Sequence, residues 1–315
     1  MKLATTTGDF HAYVSESMDI NAILPMMAES GFRYIDLSFY QADVDTSPIG
    51  TDNWEKWAED AAACAEKLGL VYVQSHGSNM CAMDHPDYER RRELIRREMH
   101  ICKRLGIPNI VVHGISRHDG TRESFVAENA ALYKDLLGFS EETGVALLTE
   151  NTCDTNCPTY FLFTAGDFHI LDKAVGNHPL FGICWDVGHA FIQGVDQYKE
   201  LTELGKRLMA VHIHDNLGKR KSPSFMDFHM QPYSGSCGFD AIVKALADMN
   251  FPGPFTLEAN AIPEPAGFLG RKPFEKDGVV YDRLVMLPLS FKIRSEKLMY
   301  DISRHMLESY DCFEE

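Results

Sequence analysis

The sequence predicts an α/β fold: a (β/α)8 TIM barrel forming one domain over residues 1–315, with the barrel at about 1–260 and a C-terminal helical extension at 261–315. Three observations predict it. Short apolar, β-branched runs alternate with longer amphipathic stretches along the chain, as when strands of a parallel sheet lie buried under helices. A glycine follows each of the early helical stretches, in Ser30-Gly31-Phe32, Leu68-Gly69-Leu70, Leu105-Gly106-Ile107 and Thr143-Gly144-Val145. Glycine accepts the left-handed conformation that ends a helix. These glycines recur at intervals of about 37 residues, close to what one βα unit of a barrel needs.

Eight runs read as strands: 2–6, 34–37, 70–75, 109–113, 146–150, 182–186, 210–214 and 255–258. Between them, helical periodicity covers 21–30, 54–68, 88–105, 123–142, 165–175, 197–208 and 239–249. Pro25 and Pro86 fall near helix starts, where a missing N–H costs nothing. A Pro/Gly-containing connector over 262–276 leads to a last helix at roughly 290–310, expected to cover the eighth strand. No low-complexity segment or long charge run divides the chain. No G-x-G-x-x-G follows the first strand, so the doubly wound open sheet lacks its usual signature.

Charge narrows the partners. Lys and Arg number 30 against 46 Asp and Glu, a net charge of −16. A protein that neutralises phosphates along a duplex carries a basic face, so general nucleic-acid binding is disfavoured. Met1-Lys2-Leu3-Ala4 runs into Thr5-Thr6-Thr7-Gly8-Asp9 with no apolar leader core, and no window approaches a membrane span. Eight cysteines without a C-x-x-C pair are expected as reduced thiols in a cytoplasmic protein. Cys153 and Cys157 are close in sequence, but two thiols alone are a weak metal signal.

A barrel carries its chemistry at the C-terminal ends of its strands. Those ends read, in order, Asp36, His76, His113, Glu150, Asp186 with His189, His212 with His214, and Glu258. One such residue is ordinary. A succession of them converging on one mouth leaves carboxylates repelling each other unless a cation intervenes. Glu150, Asp186, His212 and Glu258, on strands five to eight, form the expected ligand set for Mn, Zn, Co or Mg. His212 and His214 share a strand face, and either one serves as the imidazole ligand. Asp227-Phe228-His229, after strand seven, adds a second carboxylate–imidazole pair.

These motifs together resemble the xylose isomerase-like TIM-barrel superfamily. The resemblance rests on Leu148-Thr149-Glu150-Asn151, Cys184-Trp185-Asp186-Val187-Gly188-His189-Ala190, Val211-His212-Ile213-His214-Asp215-Asn216, Asp227-Phe228-His229 and Thr256-Leu257-Glu258. It implies an isomerase or epimerase acting on a sugar, sugar phosphate or related polyol, by proton transfer through an enediolate. One divalent metal would be held by Glu150, Asp186, His212 and Glu258. Glu150 and Glu258 would flank the reacting carbon as acid and base, and His189 would contact a substrate oxygen. A small carbohydrate substrate, no membrane and a homo-oligomer are the partners expected.

The same superfamily contains inosose dehydratase-like lyases and endonuclease IV-like apurinic-site nucleases with three zinc ions. This chain has a candidate for each nuclease ligand: His76, His113, Glu150, Asp186, His189, His212, Asp227, His229 and Glu258. Up to three metals are therefore an alternative to one. In the isomerase reading His76 and His113 become substrate contacts. The ketose 3-epimerases place a substrate-binding Arg six residues after the metal His, a spacing His214 and Arg220 share. That register makes His214 the ligand; the His-x-x-Asp form makes it His212, the preferred reading, with His214 and Arg220 left as substrate contacts. Asn156 stands where those epimerases carry a substrate-binding Glu.

Other features read plainly. Gly218-Lys219-Arg220-Lys221 suits either a captured phosphate or carboxylate or a solvated loop. Arg90-Arg91-Arg92 and Arg96-Arg97, among Glu89, Glu93 and Glu98, read as a salt-bridged helix face. Trp54, Trp57 and Tyr40 are candidates for a sugar-stacking wall or for packing.

Overall fold

The computed structural model describes residues 1–153, 158–218, 227–260 and 272–315. Eight parallel strands close a barrel in sequence order: β1 Leu3–Thr6, β2 Tyr34–Ser38, β3 Val71–His76, β4 Asn109–Val111, β5 Ala146–Glu150, β6 Phe181–Asp186, β7 Leu208–Ile213 and β8 Phe255–Leu257. Closure runs through Leu3, Ala4 and Thr5 of β1 in register with Phe255, Thr256 and Leu257 of β8. Around it lie α1 Ile20–Glu29, α2 Trp54–Leu68, α3 Tyr88–Leu105, α4 Arg122–Thr143, α5 Ala165–Val175, α6 Val187–Gln193, α7 Gln197–Leu204, α8 Phe239–Asp248 and α9 Leu289–Glu308.

Local chemistry sets these limits. Gly69, Gly106 and Gly144 end α2, α3 and α4 in the left-handed conformation, as the glycine spacing predicts. Thr121 and Thr164 start α4 and α5 as capping boxes. The period of two along each strand then splits the core. Leu147, Ile183, Trp185, Val211 and Ile213 belong to the large shell between barrel and helices. Val111, Ala146, Leu148, Cys184 and Ala210 form a separate small cluster inside the barrel. Glu150, Asp186 and His212 continue that inner face upward, so buried packing below forces polar groups to the mouth.

Four expectations need correcting. β2 runs on to Ser38, so Asp36 is not a strand end but lies one layer deeper, 1% exposed. α6 follows β6 with no intervening loop: the Asp186 carboxylate accepts from the His189 backbone N–H at 2.7 Å and caps the helix. The connector carries an antiparallel hairpin, β9 Phe274–Lys276 and β10 Val279–Tyr281. Finally, α9 packs beside α1 and β1, with Phe32 edge-on to Tyr300 at 5.1 Å, rather than over the eighth strand alone. No helix among the described residues is long and apolar enough to cross a membrane.

Candidate metal centre

Glu150, the last residue of β5, faces two ways. Its Oε1 lies 3.0 Å from His212 Nδ1, and that nitrogen lies 3.2 Å from Glu258 Oε2. With Asp186, these residues each place a donor atom within 4.8 Å of the others. Glu150 Oε2 points instead toward His76 and His113, 3.6 and 3.7 Å from their Nε2 atoms. It is buried and has no hydrogen-bond partner. The two Nε2 atoms lie 3.2 Å apart. His76 Nδ1 is 3.0 Å from the carbonyl of Gly77, which can only accept, so Nδ1 carries a proton and Nε2 is the nitrogen turned toward Glu150.

A third group stands beside these. His189 Nε2 and His229 Nε2 lie 2.9 and 3.1 Å from Asp227 Oδ2, with His214 close behind. Both rings turn Nδ1 to a main-chain carbonyl: His189 to Asn151 and His229 to Glu258, each at 3.0 Å. His76, His189 and His229 thus share the arrangement usual for metal-binding histidine, one nitrogen tied to a carbonyl and the other turned to a carboxylate, Glu150 for His76 and Asp227 for the other two. Converging carboxylate oxygens and imidazole lone pairs, one of them orphaned, fit divalent cations of the Mn, Zn, Co or Mg kind. Cys184 lies near Glu150 and His212, but burial raises its thiol pKa and keeps it protonated.

Electrostatics show what holds the cluster without a cation. Burial would raise Glu150, yet the charged His212 ring beside it pulls its carboxyl well below the usual range. Burial likewise opposes ionisation of Asp227, and His229 and His189 beside it outweigh that. His229 suffers burial too, but Asp227 lifts it to about 10. His113 is pulled down to about 4 by burial and stays neutral. Protons therefore stand where cations would, and binding must release them.

The mouth opens into a cavity of ≈ 590 Å³. His113, Glu150, His189, Asp227, His229 and Glu258 form its metal-side wall, while Asp9, His11, Tyr40, Gln41, Asn79 and Asn260 face them. His76 and His214, expected as substrate contacts, do not line it. His76 is stacked beneath Tyr40 with ring centres 4.4 Å apart. His214 is stacked on His229 at 3.8 Å, with Nε2 at 2.9 Å from Asp186 Oδ2. The structure thus separates the two candidate ligands: His212 joins Glu150 and Glu258, and His214 joins Asp227 and His229. Arg220 and its neighbours Lys219 and Lys221 lie outside the described residues, as do Asn156 and Cys157. Trp57 packs in the shell with its indole N–H on the Met18 carbonyl, and Trp54 lies near His100, so neither forms a sugar wall.

Two residues not singled out from the sequence belong to the site. Gln74, buried on β3, sets its amide 2.9 Å from His212 Nε2 and meets Thr256 Oγ1 at 3.3 Å. Turned to offer its oxygen, the amide takes the Nε2–H and leaves His212 Nδ1 free for the glutamates. Gln74 precedes His76 by two and shares its face, which is the signal that locates it. His11 places a buried Nε2 without a partner in the cavity wall, and burial holds the ring neutral with a pKa of about 4.

Residues 24–271 match the family described as xylose isomerase-like TIM barrel. The chain belongs to this family. The chain is 29% identical to the protein y4fM of Sinorhizobium fredii, described as uncharacterized, over 74% of this chain and 72% of the other. It is 24% identical to a probable endonuclease 4 of Cenarchaeum symbiosum, over 61% of this chain and 73% of the other. Among solved structures, D-psicose 3-epimerase of Clostridium cellulolyticum superposes with a TM-score of 0.71 at 16% identity, covering 98% of this chain and 99% of the other. At that identity the likeness is one of fold.

Proposed function

We propose that this chain is a divalent-metal-dependent isomerase or epimerase of a small carbohydrate or related polyol. One observation carries the reading: two glutamates, one ending β5 and one just after β8, meet at His212 Nδ1, with Asp186 beside them, at the floor of a sugar-sized cavity. Glu150, Asp186, His212 and Glu258 would hold the cation. When bound it would polarise two neighbouring substrate oxygens and acidify the C–H between them. Glu258, 18% exposed at its side chain, and Glu150, 1% exposed, both line the cavity, Glu258 the more openly. A pair so placed can remove a proton from one face of the reacting carbon and return it on the other. His189 and His113 at the wall would orient substrate oxygens, and the neutral His11 opposite would bind a distal hydroxyl.

A second reading has its own support. His76, His113, Glu150, Asp186, His189, His212, Asp227, His229 and Glu258 gather into adjoining donor groups, which suits three cations and phosphoester hydrolysis. The net charge of −16 weighs against a DNA substrate. Solvent exchange separates the two. Incubated in D₂O with a panel of ketoses, sugar phosphates and inososes, the metal-loaded protein should wash deuterium into one class of sugar. Glu150→Gln and Glu258→Gln should each lower that rate by a factor on the order of 10² or more and remain folded. Cleavage of abasic-site DNA without any sugar exchange would select the hydrolase instead.

A further inference from the structure

Lys292 and Glu296, one turn apart on α9, pair at 2.6 Å with both side chains fully buried. Such a pair adds little to stability, because apolar residues of similar volume would fill its place as well. Its position is more informative. Near the start of α9, Lys292 reaches Phe10 just beyond the C-terminal end of β1, while the Cys312 carbonyl past the other end of the helix accepts from the Met1 amino group. The Lys292 ammonium stands 5.1 Å from the centre of the Phe10 ring, a cation–π contact shielded from water, where such contacts are strongest. Phe10 belongs to the short 3-10 helix Thr7–Tyr13 that leaves the mouth end of β1. Asp9 and His11, on either side of it, line the cavity wall opposite the metal centre, whereas Phe10 packs in the apolar shell. The first residues of this segment are tied by hydrogen bonds: the Thr6 hydroxyl accepts the Gly8 N–H at 3.1 Å, and the Thr7 hydroxyl the Ser38 N–H at 2.9 Å. His11 Nε2 has no hydrogen-bond partner to fix its aim, which leaves that aim to the seating of Phe10.

We infer that Lys292 and Glu296 are positioning residues for substrate binding. Glu296 fixes the Lys292 ammonium, Lys292 fixes the Phe10 ring, and the ring sets Asp9 and His11 where they take the end of the substrate remote from the metal. A ring face attracts a cation along its normal, so the pair specifies the tilt of the ring, which apolar packing alone leaves freer. The kinetic side of this inference rests on the isomerase reading; the structural side does not. Contacts to a remote part of a substrate, held equally in ground and transition states, show in KM and leave kcat alone.

Lys292→Met combined with Glu296→Leu replaces the pair by apolar side chains in the full chain. The variant should stay folded and bind Mn²⁺ as the parent does, because no metal-side residue is touched. For the sugar that the parent exchanges in D₂O, KM should rise on the order of fivefold, as expected for a desolvated cation–π contact, with kcat unchanged. Hydrogen exchange over residues 7–13 should quicken by a similar factor, and the His11 ring signals in nuclear magnetic resonance should shift. Lys292→Arg keeps the cation and should match the parent in all three. Unchanged KM with unchanged exchange over 7–13 overturns the inference, and so does a loss of kcat with KM intact. If the parent itself turns over no sugar, the isomerase reading fails, and the exchange and the His11 signals decide the positioning role by themselves. Should the double substitution not fold, Phe10→Leu keeps the apolar contact but removes the ring face. It must then give the same rise in KM and the same quickened exchange, or the pair serves stability alone and the inference falls.

Discussion

Glu98 shows how a single buried group shapes this molecule away from its chemistry. The sequence places it on a charged face of α3, but it is fully buried, and its carboxyl takes the Ser78 N–H at 3.0 Å. Ser78 Oγ donates to the same carboxyl at 2.5 Å and lies 3.0 Å from the Phe39 carbonyl. Burial accordingly raises Glu98 from 4.5 to about 8. Between those values the unfolded chain has lost a proton that the folded one keeps, so stability falls as pH rises from about 4.5 to about 8 and is flat beyond. Glu98→Gln copies the neutral acid. Denaturant titrations should show the variant gaining on the parent across that window, and parallel curves would refute the assignment. Gln74 acts on the site itself. Gln74→Leu should weaken metal binding by about tenfold or more, read by competition with a chromogenic chelator, while the melting temperature of the metal-free protein changes little.

At the level of elements, the β6–α6 junction carries the most. Asp186 ends a strand, caps a helix and faces His214 in one position. Gly188 follows because a Cβ there would overlap the His214 ring. Gly188→Ala should cost about 2 kcal/mol of stability and displace His214, which nuclear magnetic resonance of the histidine side chains would register. A neutral effect on both would mean that the junction is loose. The sequence made most of this architecture readable because buried strands and glycine-ended helices leave strong periodic marks; α2, α3 and α5 lie where those marks place them. The short α6 was hidden because it begins inside a motif that reads as a strand end. The hairpin was hidden because its strands have three residues each and no buried face; only Asp277-Gly278 betrays it. Gln74 was hidden differently, and Asp36 was read one layer too high. Attention to strand ends passes over the layer beneath, where the same period of two continues the polar set inward.

For the whole molecule, barrel closure is what turns scattered residues into a site. His76 and Glu258 are far apart in sequence, yet both reach within 4.8 Å of His212 because β3, β7 and β8 are staves of one cylinder. The cost is a mouth crowded with acids and imidazoles, stabilised without metal only by shared protons. Calorimetric titration of chelator-stripped protein with Mn²⁺ or Zn²⁺ tests this most directly. Between one and three equivalents should bind with release of protons at neutral pH, and at 100 times the dissociation constant the fold should gain about 2.7 kcal/mol. A folded protein that takes up no divalent ion, and shows neither heat nor a rise in melting temperature, would contradict the account.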